Sequence, residues 1–115
     1  MIRFQRGRRV WVRSGPTDMR KGFAGLAALV QRDMGHDLVA GDLFVFISRD
    51  RRLLKLVAWD GSGLVMYSKR IARGRFAEVW RYRRNEQIEL PLRVLHDLLA
   101  GVDVTLADGW KKSRI

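Results

Sequence analysis

The sequence predicts a single α+β domain, with an antiparallel β-meander sheet of about four or five strands, one long N-terminal helix and a short C-terminal helix. Two patterns lead to this fold class. Three apolar runs in the middle of the chain are joined by short turn-forming segments, and short connections pair consecutive strands antiparallel. Before them, apolar residues recur at spacings of three and four, which is the periodicity of an amphipathic helix. A chain of 115 residues has room for one such domain.

The domain is predicted to begin after a short basic segment. Residues 1–8 are expected to form an N-terminal arm, residues 9–102 the single α+β domain, and residues 103–115 a C-terminal tail. Residues 9–13 alternate basic and apolar side chains, which predicts a short first strand. Residues 14–16, Ser-Gly-Pro, end this strand because glycine and proline are typical of turns.

One long helix is predicted from Asp18 to Met34. Thr17 and Asp18 are typical of a helix start, where a hydroxyl caps the backbone and an acid favours the first turn. The carboxylate of Asp18 is also expected to pair with a nearby Arg or Lys. Gly35 is predicted to end the helix. The apolar residues expected on its buried face are Met19, Phe23, Leu26, Ala27, Val30 and Met34.

Three strands are predicted in the centre of the chain, over residues 43–47, 53–59 and 64–69. The first is a dense run of large apolar side chains, which is typical of a buried strand. Residues 50–52 are predicted to form the turn between the first two strands, and residues 60–63 the tight turn before the third.

The C-terminal part of the domain has a weaker pattern. Residues 76–83 fit either a strand or a short helix, whereas residues 87–90 predict a brief strand. Pro91 suits the first turn of a second helix, which is predicted over residues 92–100. Gly101 is expected to end that helix.

The charge of the chain is strongly basic and unevenly distributed. Lys and Arg number 23 against 12 Asp and Glu, so the formal net charge is +11. The bases concentrate in residues 1–13, which contain no acid, and in residues 69–84, which contain one acid, Glu78. Such self-repulsion destabilises a compact fold and favours a polyanionic partner. Nucleic acid is the first candidate, because arginine matches phosphate oxygens two at a time and stacks on bases.

Four basic segments carry the predicted nucleic-acid contacts, and they are expected to converge on one face. Gly74 lies within one of them and would let the backbone approach a phosphate closely. Tyr82 lies within another, where an aromatic ring among bases suits base stacking. The predicted nucleic-acid-binding residues are Arg6, Arg8, Arg9, Arg51, Arg52, Lys69, Arg70, Arg73, Arg75, Arg81, Arg83 and Arg84.

The sequence does not favour an enzyme. It has no cysteine, and therefore no thiolate metal site or cysteine nucleophile. Asp42, Asp50 and Asp60 each lie at a strand start or turn, where aspartate typically binds the backbone of its own turn. His36 and His96 have no second ligand at metal-binding spacing. We therefore predict no catalytic residue, no metal and no cofactor.

The apolar runs are too short to span a membrane, and no signal peptide is visible at the N-terminus. The lack of cysteine fits a reducing compartment. A cytoplasmic protein is expected on these grounds.

Four ordered motifs then resemble one known family. They are the segments 15–26 (GPTDMRKGFAGL), 41–46 (GDLFVF), 56–63 (LVAWDGSG) and 69–76 (KRIARGRF). Together they resemble the TnpB accessory protein of the IS66 class of bacterial insertion sequences, which is distinct from the RNA-guided nuclease of the same name. The resemblance covers residues 8–102. It implies a bacterial protein that acts in transposition beside a separate, larger transposase and that is not a catalytic subunit.

Charge and resemblance together predict a non-enzymatic, DNA-binding accessory factor for transposition. The expected partners are DNA, at transposon ends or target, and a larger transposase. Two alternatives remain at this point: an adaptor that docks on an acidic surface of the transposase without touching DNA, and an RNA-binding module. A metal-dependent nicking enzyme using Asp18, Asp42 or Asp60 ranks last. The sequence leaves the oligomeric state open.

Overall fold

The computed structural model describes residues 8–79, 87–104 and 112–113, and for residues 103–104 and 112–113 it describes the backbone alone. The regular elements are β1 (Val10–Arg13), α1 (Phe23–Ala28) with a π-helical turn (Leu29–Asp33), a 3-10 turn (Leu38–Ala40), β2 (Leu43–Ile47), β3 (Leu53–Trp59), β4 (Leu64–Arg70), β5 (Gln87–Leu90), α2 (Leu92–Leu99), β6 (Asp103–Val104) and β7 (Lys112–Ser113). The largest sheet has five strands in the order β4-β3-β2-β1-β5, and β6 and β7 form a separate pair.

The predicted antiparallel sheet is wrong, because the sheet is mixed. β1 runs parallel to β2, with Val10 opposite Leu43, and antiparallel to β5, with Val10 opposite Leu90. Residues 14–42 separate β1 from β2, and a connection of this length carries the helical crossover that a parallel pair needs. The meander itself, β2-β3-β4, is antiparallel throughout as predicted.

The predicted long helix is also wrong. α1 has six residues, and the π-helical turn extends it only to Asp33. Residues 18–22 are not helical, because the Asp18 carboxylate accepts the Arg20 backbone N–H at 3.0 Å, which is the local side-chain bond that competes with a helix. Gly22 then has extended backbone (φ −91°, ψ −158°). Gly35 ends the helical segment with φ +71°, as predicted.

Two apolar layers cover the sheet. On one face α2 packs its buried Val94, Leu95 and Leu98 against alternate strand residues such as Val45 and Leu56. On the other face α1 and its π-helical turn bury Leu26 and Val30 against the remaining residues of the same strands. The domain is therefore a five-stranded sheet between two short helices, and α2 has nearly its predicted bounds.

Residues 76–78, for which the sequence fits a strand or a short helix, have no regular structure. Phe76 is nevertheless fully buried in the α2 layer, together with Ala77 and Val79. Residues 80–86, and with them the rest of that predicted element, lie outside the described residues. Residues 1–7 of the predicted arm and the side chains of the predicted tail also lie outside the described residues. The predictions of an arm and a tail therefore stay predictions.

The direction of the strands defines two ends of the sheet. The arm end contains the starts of β1 and β2 and the turn of residues 60–63. The hairpin end contains the ends of β1, β2 and β4 and the β2-β3 turn of residues 48–52. A seven-residue strand spans about 23 Å, so the two ends are well separated.

Candidate nucleic-acid interface

The β2-β3 turn presents arginines because its own carboxylate holds it closed. Asp50 Oδ1 accepts the Ser48 hydroxyl at 2.6 Å and the Arg52 backbone N–H at 3.1 Å. The pKa of Asp50 is lowered, first by the Ser48 hydroxyl and then by the Arg52 N–H, with the charges of Arg52 and Arg70 also contributing. Arg49 and Arg52 are left exposed at the turn.

The basic connector after β4 is fastened to this turn. Ile71 donates its N–H to the Arg52 carbonyl at 2.9 Å, and Phe76 donates its N–H to the Arg51 carbonyl at 2.7 Å. Arg51 has φ +59° and donates Nη1 to the Phe76 carbonyl at 3.2 Å. These bonds hold residues 71–76 beside the β2-β3 turn. Arg73 and Arg75 are exposed there.

Two sequence-predicted segments are thus brought together, and Arg51 makes a contact within the chain. Arg52 and Arg70, whose charges both act on Asp50, lie at the hairpin end with Arg73 and Arg75. The guanidinium of Arg51 donates one hydrogen bond to the Phe76 carbonyl, and its nucleic-acid contact stays a prediction. Arg51 therefore positions the connector.

A third segment joins this end, and sequence reasoning missed it. Thr17 donates its N–H to the Ile47 carbonyl at 2.9 Å, which places the loop before α1 at the hairpin end. Lys55 Nζ donates to the carbonyls of Met19 and Lys21 at 2.8 and 3.1 Å and fixes the loop over β3. Arg20, with a side chain 91% exposed, and Lys21 are the cations that it presents. In the sequence, Arg20 and Lys21 stand next to each other in segment 15–26. The apolar spacing there predicts a helix and so places both side chains on a helix surface.

We call the resulting set the hairpin-end basic surface. It combines residues from the loop before α1, the β2-β3 turn, the last residue of β4 and the connector after it. Its members are Arg20, Lys21, Arg49, Arg52, Arg70, Arg73 and Arg75.

The arm residues do not join this surface. Arg9 Nε and Nη2 donate to the two carboxylate oxygens of Glu89 at 2.8 Å each, which lowers the pKa of Glu89, and the guanidinium stacks 4.6 Å from the Trp11 ring centre. Arg8 Nη1 donates to the Ala40 carbonyl at 3.1 Å. Both lie at the arm end. The expected convergence of all basic segments therefore does not include them.

Lys69 is also occupied within the chain. It lies on the α2 side of β4, and its Nζ donates to the Leu99 carbonyl at 2.6 Å. Leu99 is the last residue of α2, whose final carbonyls lack helical partners. The ammonium group satisfies one of them at the negative end of the helix dipole. The remaining predicted contacts, Arg6, Arg81, Arg83 and Arg84, lie outside the described residues and stay predictions.

The Lys69→Met substitution tests this assignment. It should lower the free energy of unfolding by about 1 kcal/mol, because a helix-end carbonyl loses a charged donor. Nucleic-acid affinity should change no more than twofold. Urea denaturation and a binding titration measure the two quantities. A large loss of binding without a loss of stability would return Lys69 to the contact surface.

Asp60 binds the backbone of its own turn, as predicted, whereas for Asp42 that prediction is wrong, because its carboxylate binds the β1 segment. Asp60 accepts the N–H groups of Ser62 and Gly63 at 2.9 Å each. Asp42 accepts the Arg9 N–H at 3.2 Å and the Trp11 indole N–H at 3.1 Å. Within the described ranges, no three His, Asp or Glu side chains are grouped so that they could hold a metal.

Asp18 pairs with an arginine, as expected. Its Oδ2 lies 2.8 Å from Arg20 Nη2. The Arg20 side-chain hydrogen bonds, followed by the Arg20 backbone N–H, lower the pKa of Asp18 to about 2. The loop before α1 is therefore stabilised by an ion pair between Asp18 and Arg20. The pair orients the Arg20 side chain, which remains exposed.

This pair predicts an acid-dependent loss of stability. Because the pKa of Asp18 is lower in the folded chain than in the unfolded one, its contribution is fully present above about pH 4 and is lost as the pH falls through about 2. NMR titration of the side-chain carboxyl should give a midpoint near 2 in wild type. In Arg20→Gln the midpoint should move back toward 4. A wild-type midpoint near 4 would show that the pair does not form.

Comparison with known proteins agrees with the four motifs. A family model described as IS66 Orf2 like protein matches residues 8–108. The chain belongs to the IS66 Orf2-like family. This family implies an accessory role in transposition and is generally non-catalytic.

Two proteins of Sinorhizobium fredii are similar to this IS66 Orf2-like chain. Uncharacterized protein y4hO is 42% identical over 95 residues, covering 83% of this chain and 81% of y4hO. Uncharacterized protein y4jC is 40% identical over 76 residues, covering 66% of this chain and 65% of y4jC. No solved structure matches the chain. In the part of the chain that the structure describes, no helix is long and apolar enough to cross a membrane.

Proposed function

We propose that this IS66 Orf2-like protein is a non-enzymatic DNA-binding accessory factor, which holds the phosphate backbone with the hairpin-end basic surface while a separate, larger transposase performs the chemistry. One observation carries the proposal. Segments far apart in the sequence, around Arg20, Arg52 and Arg73, place seven exposed cationic side chains at one end of the sheet.

The contrast between the two ends supports it. At the hairpin end, Arg20 is paired with Asp18, Asp50 is hydrogen-bonded to its own turn, and Asp33 is paired with Arg13 at the end of β1. At the arm end, Arg9 is paired with Glu89. Asp42, just before β2, and Asp60, just after β3, lie at the same end on neighbouring strands. Among the described residues, exposed Lys and Arg side chains are therefore more numerous at the hairpin end, where their charge would attract a polyanion.

The local geometry suits phosphate contact. Gly74 has φ +72° and no atom within 4 Å of the position a Cβ would take, so the connector is open toward solvent between Arg73 and Arg75. Guanidinium groups there can each take two phosphate oxygens. Such contacts position a protein on DNA but carry little sequence information. The proposal therefore implies modest sequence preference.

Fluorescence anisotropy with a labelled duplex across a salt series tests this function. If about five phosphates are neutralised, log affinity should fall with log salt with a slope near −4.5. A flat salt dependence, or no binding at low salt, would remove the proposal. An adaptor without DNA contact would instead co-purify with the transposase after nuclease treatment, through an acidic surface complementary to the same cations.

A further inference from the structure

An exposed aromatic ring borders the hairpin-end basic surface. Phe23, the first residue of α1, is 49% exposed, although its helical spacing to Leu26 and Val30 predicts burial and both of those residues are fully buried. The large hydrophobic residues exposed in the described ranges are Phe23 and Val39. Burying a half-exposed phenyl ring against a partner is favourable, because it removes apolar surface from water.

The surroundings of Phe23 are cationic. Lys21 lies two residues before it and is exposed, as is Arg20. The Lys55 ammonium binds the carbonyls of the same loop. Lys55 is opposite Ser68 on β4, and Arg70 follows on the same face two residues later. Phe23 therefore follows within two residues the loop that contributes Arg20 and Lys21 to the basic surface.

A partner that fits this surface presents negative charge and a flat apolar face side by side. Nucleotides with unpaired bases do so, because the phosphate and the exposed face of the base are joined through one sugar. A duplex offers its phosphates but keeps its base faces stacked. An aromatic ring beside cations is the recurring arrangement in proteins that bind single-stranded nucleic acid.

We infer that the preferred ligand is DNA with unpaired bases, single-stranded or branched, with Phe23 stacked on a base while Lys21 contacts a neighbouring phosphate. The inference rests on the proposed DNA-binding function and names its substrate class. Duplex DNA binds the same cations without the stacking contact.

The test compares a single-stranded oligonucleotide with a duplex of the same length and sequence, by anisotropy at fixed salt. Phe23→Ala should weaken binding to the single strand about tenfold or more and binding to the duplex less than twofold, since stacking on one base is worth that much. Phe23→Trp should retain or strengthen single-strand binding. Val39→Ala, which removes the other large apolar side chain that is exposed among the described residues, should change neither affinity.

The outcomes separate this inference from the proposed function. Equal binding of both ligands, unaffected by Phe23→Ala, would overturn the stacking role and leave phosphate binding intact. Absence of binding to either ligand would overturn both. Loss of transposase binding in Phe23→Ala, with unchanged DNA affinities, would assign the ring to a protein interface instead. Circular dichroism of each variant checks that the fold is retained. Phe23→Leu keeps an apolar side chain but removes the ring, so it separates stacking from apolar contact.

Discussion

Replacing Arg52, Arg70, Arg73 and Arg75 together by Gln should lower affinity for duplex DNA by about two to three orders of magnitude near 0.1 M salt. The reason is counterion release, since every phosphate that is no longer neutralised removes about 0.9 from the slope of log affinity against log salt. The slope should therefore become shallower by about 3.5. Anisotropy titrations at four or five salt concentrations give both quantities.

A charge-matched pair of variants shows whether position or total charge is responsible. Arg73→Gln/Arg75→Gln and Arg32→Gln/Arg93→Gln each remove two positive charges from a net +11. Arg32 and Arg93 are exposed on the helical layers that cover the two faces of the sheet. The first pair should make the slope shallower by about 2 and the second should leave it nearly unchanged. Equal effects would mean that net charge alone attracts the DNA.

Phe76→Ala should be the most destabilising change in the connector. Its ring is fully buried in the α2 layer, and truncating such a ring typically costs about 3–5 kcal/mol through reduced burial and a cavity. That is a large fraction of the stability of a domain of this size. Urea denaturation followed by tryptophan fluorescence measures it.

Phe23→Ala is the matched control for this prediction, because it removes the same ring from a half-exposed position. We expect Phe23→Ala to lower the free energy of unfolding by about 1 kcal/mol. Similar losses of stability for both variants would mean that Phe76 does not anchor the connector. Phe76→Ala should also weaken DNA binding under conditions where it remains folded, because the ring and the Phe76 N–H hold Arg73 and Arg75 beside the β2-β3 turn.

The strands of the meander were predictable because their signals are local. Apolar runs bounded by turn residues predict the bounds of β2 and β3 as the structure has them. The pairing of β1 was not predictable in this way, since its neighbours β2 and β5 are distant in the chain. The length of residues 14–42 alone is compatible with a parallel crossover, but the short connections of the meander favour an antiparallel interpretation.

The helix is shorter than predicted for a specific reason. Apolar spacing continues through Met19 and Phe23, but hydrogen bonds from the Asp18 carboxylate and the extended backbone of Gly22 delay the helix start. The same delay converts Arg20 and Lys21 from helix-surface residues into members of the hairpin-end basic surface.

The candidate site was only partly predictable from charge. Blocks of arginine identify the connector and the β2-β3 turn, yet the sequence does not show which guanidinium or ammonium groups the chain itself uses. Arg9 is bound by Glu89, Arg51 by the Phe76 carbonyl, and Lys69 by the end of α2. Each of these partners is at least 25 residues away in the sequence, so local patterns carry no sign of them.

Mapping of backbone amide chemical shifts during titration with a short duplex tests most directly where a polyanion docks on this domain. The account predicts that the perturbed amides cluster at residues 20–21, 49–52 and 70–75. Perturbations centred instead on Arg8, Arg9 and the turn of residues 60–63, or spread evenly over the domain, would contradict it.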